Sequence, residues 1–281
     1  MKDPSAPQPI RPDTGAQSVD RALSLLPLIA RDPLHGLGLG TIVDETGLSR
    51  PTARRLLLSL IRSGLVEQDP RSKAYLLGEE AFILGTLAAP RFGLVDIAAE
   101  SVTRLADVTG DTAYLSMRRD TSSICMLKQD GAFPIRVQAL QVGFRHPLGI
   151  GAGSLAILSA LPDPEIDEIL AQNTARIEAD YPRSSVAMLR DAVAQTRARG
   201  WSLNPGMVLA SSWAVGRAVT FPDGRVAGAL SVAAIDSRMT DERQSEIAAH
   251  LEVSVQQVEA RLARKFAHIM PPPARARSRA K

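Results

Sequence analysis

The stretch from Thr46 to Leu77 constrains this chain more than any other. Thr46-Gly47-Leu48 reads as a tight turn, Ser49 as the N-cap of the next helix, and Pro51 is tolerated in that helix's first turn. Ala53, Leu56, Leu57, Leu60 and Ile61 recur at the spacing of one helical face, and Gly64 ends the run. Two short strand candidates follow, Leu65–Gln68 and Ala74–Leu77, joined by Asp69-Pro70-Arg71-Ser72-Lys73. Upstream, Val19, Ala22, Leu23, Leu26, Ile29 and Ala30 mark a first helix that Pro27 is expected to kink or stop early. A second, shorter helix is expected over about 39–46. Helix, helix, turn, helix and a two-stranded wing predict a winged helix-turn-helix over 17–78.

Such a module suits duplex DNA, because a helix fits the major groove and its first-turn side chains reach base edges. The candidate DNA-contacting residues are Ser49, Arg50, Thr52, Arg54, Arg55 and Ser59 on the helix, with Arg71 and Lys73 on the wing for phosphate or the minor groove. Charge points the same way. The net +3 hides a strong asymmetry: residues 1–90 balance ten basic against ten acidic groups, 91–263 carry 17 against 20, and 264–281 carry six and none. Within the first block, 49–78 hold six basic and two acidic residues, as a polyanion-binding face would. A merely solvated arginine face and a protein-binding winged helix are the competing readings.

The remainder of the chain reads as a linker helix over 79–92 ended near Pro90, then a second domain over 93–266. Helices are expected at about 96–108, 151–161, 163–172, 186–200 and from Thr240 onward. Strands are expected at Thr112–Arg118, Ser123–Lys128, Ile135–Gln138, Val215–Phe221 and Val226–Ala234, the last two joined by a Pro222-Asp223-Gly224 turn. The fold class is therefore α+β, an antiparallel sheet flanked by helices following a winged helix-turn-helix. Segments 1–16 and 267–281 read as disordered tails, the second one basic.

The order and spacing of Gln17–Leu23, Thr46–Leu57, Ser63–Val66 and Tyr75–Gly78 resemble the IclR-type transcriptional regulators, and the resemblance extends over about 17–266. It implies a recognition helix at 49–63 and a ligand-sensing second domain similar to GAF and PAS sensors. By that resemblance, Gly151 and Ala152 match a pocket-floor pair, Val137 an apolar wall, Ala218 a position in the penultimate strand, and Ser231 with Ala233 the inward pair of the last strand. Ser211, Ser212 and Trp213 sit where the sequence departs from the family, and are expected to supply polarity and an aromatic wall. The resemblance also implies a homodimer or dimer of dimers, with subunit contacts on the first and linker helices. Independently of family, unpaired N–H groups opening the 151–161 helix favour a carboxylate effector. Gly151, Ala152 and Gly153 alternatively serve close helix–sheet packing.

Other classes find little support. Gly149-Ile150-Gly151-Ala152-Gly153-Ser154 lacks the lysine ending and spacing of a phosphate loop, and no G-x-S-x-G elbow occurs. His35, His146, His250 and His268 are scattered, so no metal and no cofactor is expected. Cys125 reads as a small buried apolar residue. The longest apolar run, 148–161, is too short to span a bilayer, and residues 1–17 lack a signal-peptide core; a cytoplasmic protein is expected. The expected function is effector-modulated operator binding. A constitutive DNA-binding protein whose second domain only oligomerises is the alternative, with a small-molecule enzyme behind it.

Overall fold

A computed structural model describes residues 16–88, 93–135 and 139–267. The chain divides into two units, 1–93 with 140–146 and 94–139 with 147–281.

The first unit holds α1 (Gln17–Ile29), α2 (Leu39–Thr46), α3 (Arg50–Arg62), the strands β1 (Val66–Gln68) and β2 (Tyr75–Leu77), and α4 (Glu79–Ala88). Gly47 ends α2 in the left-handed conformation at φ 65°, which an L side chain resists, and so turns the chain sharply into α3. Leu25, Leu28, Ile29, Ile42, Leu56, Leu57, Leu60, Val66 and Tyr75 form one buried core. The early stop expected at Pro27 does not occur: α1 runs through it to Ile29. The carbonyl left without its helical partner is that of Leu23, itself 49% exposed, where water can serve it. Leu37 adds an antiparallel bridge to Tyr75, with reciprocal N–H···O contacts of 2.9 and 2.8 Å, so the wing is broader than two strands.

The second unit is built on a six-stranded antiparallel sheet in the order β5-β4-β3-β8-β7-β6, of whose edge strand β5 only Pro147 falls within that unit. Its strands are β3 (Thr112–Arg119), β4 (Ser122–Gln129), β5 (Arg145–Pro147), β6 (Ser202–Pro205), β7 (Ser212–Thr220) and β8 (Val226–Ile235). Strand β6 was not expected, being four residues ended by a proline with no clear alternation. The expected strand at Ile135–Gln138 falls mostly outside the described residues. Helices α5 (Leu94–Thr109) and α9 (Asp241–Ala267) cover one face around Leu115, Val215, Leu230, Val232, Ile247 and Leu251. Helix α6 (Ala152–Ser159) covers the other, backed by α8 (Val186–Arg199), which α7 (Asp163–Asp180) contacts. Every residue of α6 is buried, which is why its sequence is apolar all round. Period-two alternation therefore sorts each central strand between two cores, and in β8 Ala229, Ser231 and Ala233 face α6. Among the described residues no helix is long and apolar enough to cross a membrane.

Candidate DNA-contacting surface and effector site

Helix α3 buries Ala53, Leu56, Leu57 and Leu60 and turns its basic stripe outward. Ser49, Arg50, Arg54, Arg55 and Ser59 are exposed and Thr52 is half-buried. Ser49 takes the N-cap position, but its hydroxyl meets the Thr52 hydroxyl at 2.8 Å instead of a backbone N–H. Arg50, Arg54, Arg55 and Arg62 line an open groove of about 630 Å³ with Leu39, Pro51 and Leu58, and no acidic residue lines it. Among the described residues, none of these arginines, nor Arg71 or Lys73, is held in an ion pair. Arg31 of the same unit, by contrast, is paired with Glu45. Cations left unpaired on one face keep their full charge for phosphates and base edges.

The wing owes its shape to a residue that charge counting overlooked. The Asp69 carboxylate accepts from the Arg71 N–H at 2.9 Å and from both the backbone and the hydroxyl of Ser72. These bonds, led by the Ser72 N–H and helped by the charge of Lys73, hold the Asp69 carboxyl below the usual carboxylate range. Lys73 follows at φ 59°, its carbonyl accepting from Gln68 at 2.9 Å. Arg71 and Lys73 both end exposed on this turn.

In the second unit, strand register aligns Lys128, Tyr114, Ser231, Gly216 and Ser202 in a single cross-strand row. Helix α6 begins directly over it. A Cβ on Gly216 would lie 2.8 Å from the Ala152 carbonyl, and one on Gly153 would lie 3.1 and 3.2 Å from the hydroxyls of Ser116 and Ser231. Ser202 donates to the Ala152 carbonyl at 2.7 Å, clamping the helix start to the sheet. The first bond of the helix is the Leu155 N–H to the Gly151 carbonyl, so the N–H groups of Ala152, Gly153 and Ser154 have no intrahelical partner. Ser116 and Ser231 are each 4% exposed, yet neither hydroxyl has a protein hydrogen-bond partner among the described residues. Two unpartnered hydroxyls on buried serines, beside an unpaired helix start, form an arrangement that can bind an anion.

The surroundings add polarity. Asn204 accepts from the Met207 N–H at 2.8 Å, fixing the turn that brings Val208 near Gly151. Lys128 lies 3.5 Å from Asp130, whose carboxylate also takes the Thr112 hydroxyl at 3.1 Å. Cys125 stands opposite Ser116; burial pushes its thiol up to about 12 while Lys128 pulls the other way, which favours the neutral thiol over the thiolate. Burial likewise raises the Tyr114 phenol.

Of the expected effector residues, Gly151, Ala152 and Ser231 come together at the start of α6. Ala233 follows one step along β8, and Ala218 lies on the same face but opposite Ala229, farther along. Ser212 is in β7, 2% exposed, and shares the parity of Ala218. Ser211 is exposed, outside the strand, and offers its carbonyl to the Asp236 N–H. Trp213 corrects the expectation of an aromatic wall: it packs with Val215 and Val219 against the α5–α9 core, on the opposite face. Val137 lies outside the described residues. Tyr114, Ser116, Lys128 and Ser202 were missed, although alternation along 112–119 could have flagged the first two.

Comparison with known proteins agrees with this anatomy. Residues 18–70 match the IclR helix-turn-helix domain, and residues 86–260 match the C-terminal domain of the bacterial transcriptional regulator IclR. The chain is 30% identical over 243 residues to the HTH-type transcriptional regulator BhcR of Paracoccus denitrificans, covering 82% of each. It is 27% identical to the acetate operon repressor of Salmonella typhimurium, over 85% of this chain and 87% of that one. In fold it is similar to an IclR transcriptional regulator from Alicyclobacillus acidocaldarius, with TM-score 0.74 at 24% identity over 89% of this chain and all of the other. It is also similar in fold to an IclR homologue of Microbacterium hydrocarbonoxydans complexed with 4-hydroxybenzoate, with TM-score 0.70 at 16% identity over 87% and 98% of the chains.

Proposed function

The chain belongs to the IclR family of transcriptional regulators, and we propose that its α3 stripe and wing read an operator while a small carboxylate bound at the start of α6 modulates that reading. The pair of serines Ser116 and Ser231 beside Gly153, buried as residues and with hydroxyls that no protein group engages among the described residues, carries the effector half of this proposal. A carboxylate there would accept from them and from the N–H groups of α6, in a surrounding where charge-assisted bonds are strong. Aromatic acids are the first probes, because a structural neighbour is complexed with 4-hydroxybenzoate.

Linkage supplies the mechanism: a ligand favouring one arrangement of the protein shifts its DNA-competent population by its differential affinity. Dimerisation fits the surface, since Phe82, Leu84 and Leu87 of α4 and Val19 and Leu23 of α1 are exposed. Paired half-sites would also multiply the few base pairs one module reads. The test is to select duplexes with the full-length protein and then screen small carboxylates for both thermal stabilisation and altered operator affinity. No ligand acting on either measure would abandon the effector half. That outcome would favour a constitutive DNA-binding protein, a reading that the tight packing of Gly216 against Ala152 supports on its own.

A further inference from the structure

One residue of the α3 stripe does not belong with its neighbours. Leu58 is 46% exposed and sits in the groove with Arg50, Arg54, Arg55 and Arg62. Leu39, Leu48 and Ile61 pack against the core of this unit, but Leu58 is no part of that packing. Three and four residues after Arg55 and Arg54, it lies on their side of the helix. It therefore presents an apolar side chain on the face that carries the arginines.

The occupant of such a face must be anionic and yet offer something apolar at one point. Duplex DNA does, because the thymine 5-methyl is the apolar group displayed in the major groove. Four residues of helix advance about 6 Å, close to two base-pair steps at about 3.4 Å each, so Leu58 and Arg54 address different bases of one half-site. We propose that Leu58 is a specificity-determining residue that reads a thymine methyl within the operator half-site. The inference rests on the DNA-binding reading of α3 and adds a base preference to it. Guanidinium groups on either side hold phosphates or purine edges, and Leu58 loses water against the methyl.

The test uses the full-length protein and a duplex selected by it from random sequence. Thymines are replaced one at a time by deoxyuridine, which removes the methyl and leaves pairing intact. One position per half-site should weaken binding by roughly three- to fivefold, the worth of about one buried methyl group. Leu58→Ala should weaken the thymine duplex to a similar degree and be indifferent to deoxyuridine there; Leu58→Met should keep the preference. Leu58 is exposed, so both variants should melt as the parent does. A selected duplex insensitive to deoxyuridine everywhere, or a Leu58→Ala protein that retains the full methyl dependence, overturns this proposal alone. A selection yielding no preferred duplex overturns the DNA reading as well.

Discussion

A β-carbon on Gly216 would stand 2.8 Å from the carbonyl of Ala152, so strand β7 and the first residue of α6 meet backbone to backbone. The contact is closer than any side chain permits, and both partners are main chain that cannot rotate away. Gly216→Ala should therefore lift the start of α6 from the sheet, at a cost of about 1–3 kcal/mol in stability. The Ser202 bond to the Ala152 carbonyl should break in the same movement. The variant should melt several degrees lower and lose its response to carboxylates; an unchanged melting curve would mean that α6 has room to shift.

Ser231→Ala separates binding from packing more gently. The hydroxyl has no protein partner among the described residues, so its removal should cost little stability and remove one donor from a bound carboxylate. A hydrogen bond to a charged group is worth about 1.5–3 kcal/mol, so effector affinity should fall by roughly tenfold or more. Operator affinity without ligand should stay as in the parent. An effector response undiminished in both Ser231→Ala and Ser116→Ala would remove the anion from this site.

On the DNA side, the two kinds of basic residue should fail differently. Arg54→Ala or Arg55→Ala should cost roughly 1–3 kcal/mol on the selected operator and relax preference at one position. Lys73→Ala should weaken every duplex alike and reduce the slope of log affinity against log salt by about 0.9. Unchanged operator affinity in both arginine variants would contradict the recognition-helix assignment, and a sequence-selective loss at Lys73 would contradict a phosphate role.

How much of this could be read before the fold was known differs between the two units. The turn and periodic face around Ser49 are local, so the sequence alone put Ser49, Arg50, Arg54, Arg55 and Ser59 on the exposed side, while Thr52 is half-buried. Ser116 escaped notice because its position beside Gly153 depends on pairing β3 with β8, more than 100 residues away. Trp213 shows a nearer miss. Strand β7 begins at Ser212, three residues earlier than expected, and an odd-numbered residue in it must face away from Ala218. Asp69 went unread as a structural residue because a charge tally counts it only against its neighbours.

Acid should loosen the wing. The Asp69 carboxyl titrates below its usual range in the folded state, so its bonds to Ser72 and Arg71 stabilise the turn above the ordinary carboxylate pKa. That contribution is lost as pH falls through the lowered value. The protection of the Arg71 and Ser72 amides, measured against their intrinsic exchange rates at each pH, should fall there before that of α3, and Asp69→Ala should lack that protection at neutral pH. Protection undiminished in Asp69→Ala would show that the turn holds itself.

The largest single loss of stability is expected at Asp111. Its carboxylate is 2% exposed and shared by two guanidinium groups: Arg238 reaches it at 2.9 and 3.1 Å, and Arg243 at 3.1 Å. Arg238 also stacks on the Phe133 ring at 3.9 Å, and both arginines donate to the Thr109 carbonyl at the end of α5. One buried charge thus ties together the end of α5, the start of β3 and the start of α9. Removing it leaves two guanidinium groups facing each other with their desolvation uncompensated, which typically costs about 3–5 kcal/mol. Asp111→Ala should accordingly unfold the second unit at much lower denaturant. Asp111→Asn, which keeps the shape and an acceptor, should recover part of the loss. A loss below about 1 kcal/mol in Asp111→Ala would mean that water and Glu246, already 2.8 Å from Arg243, compensate the arginines without it.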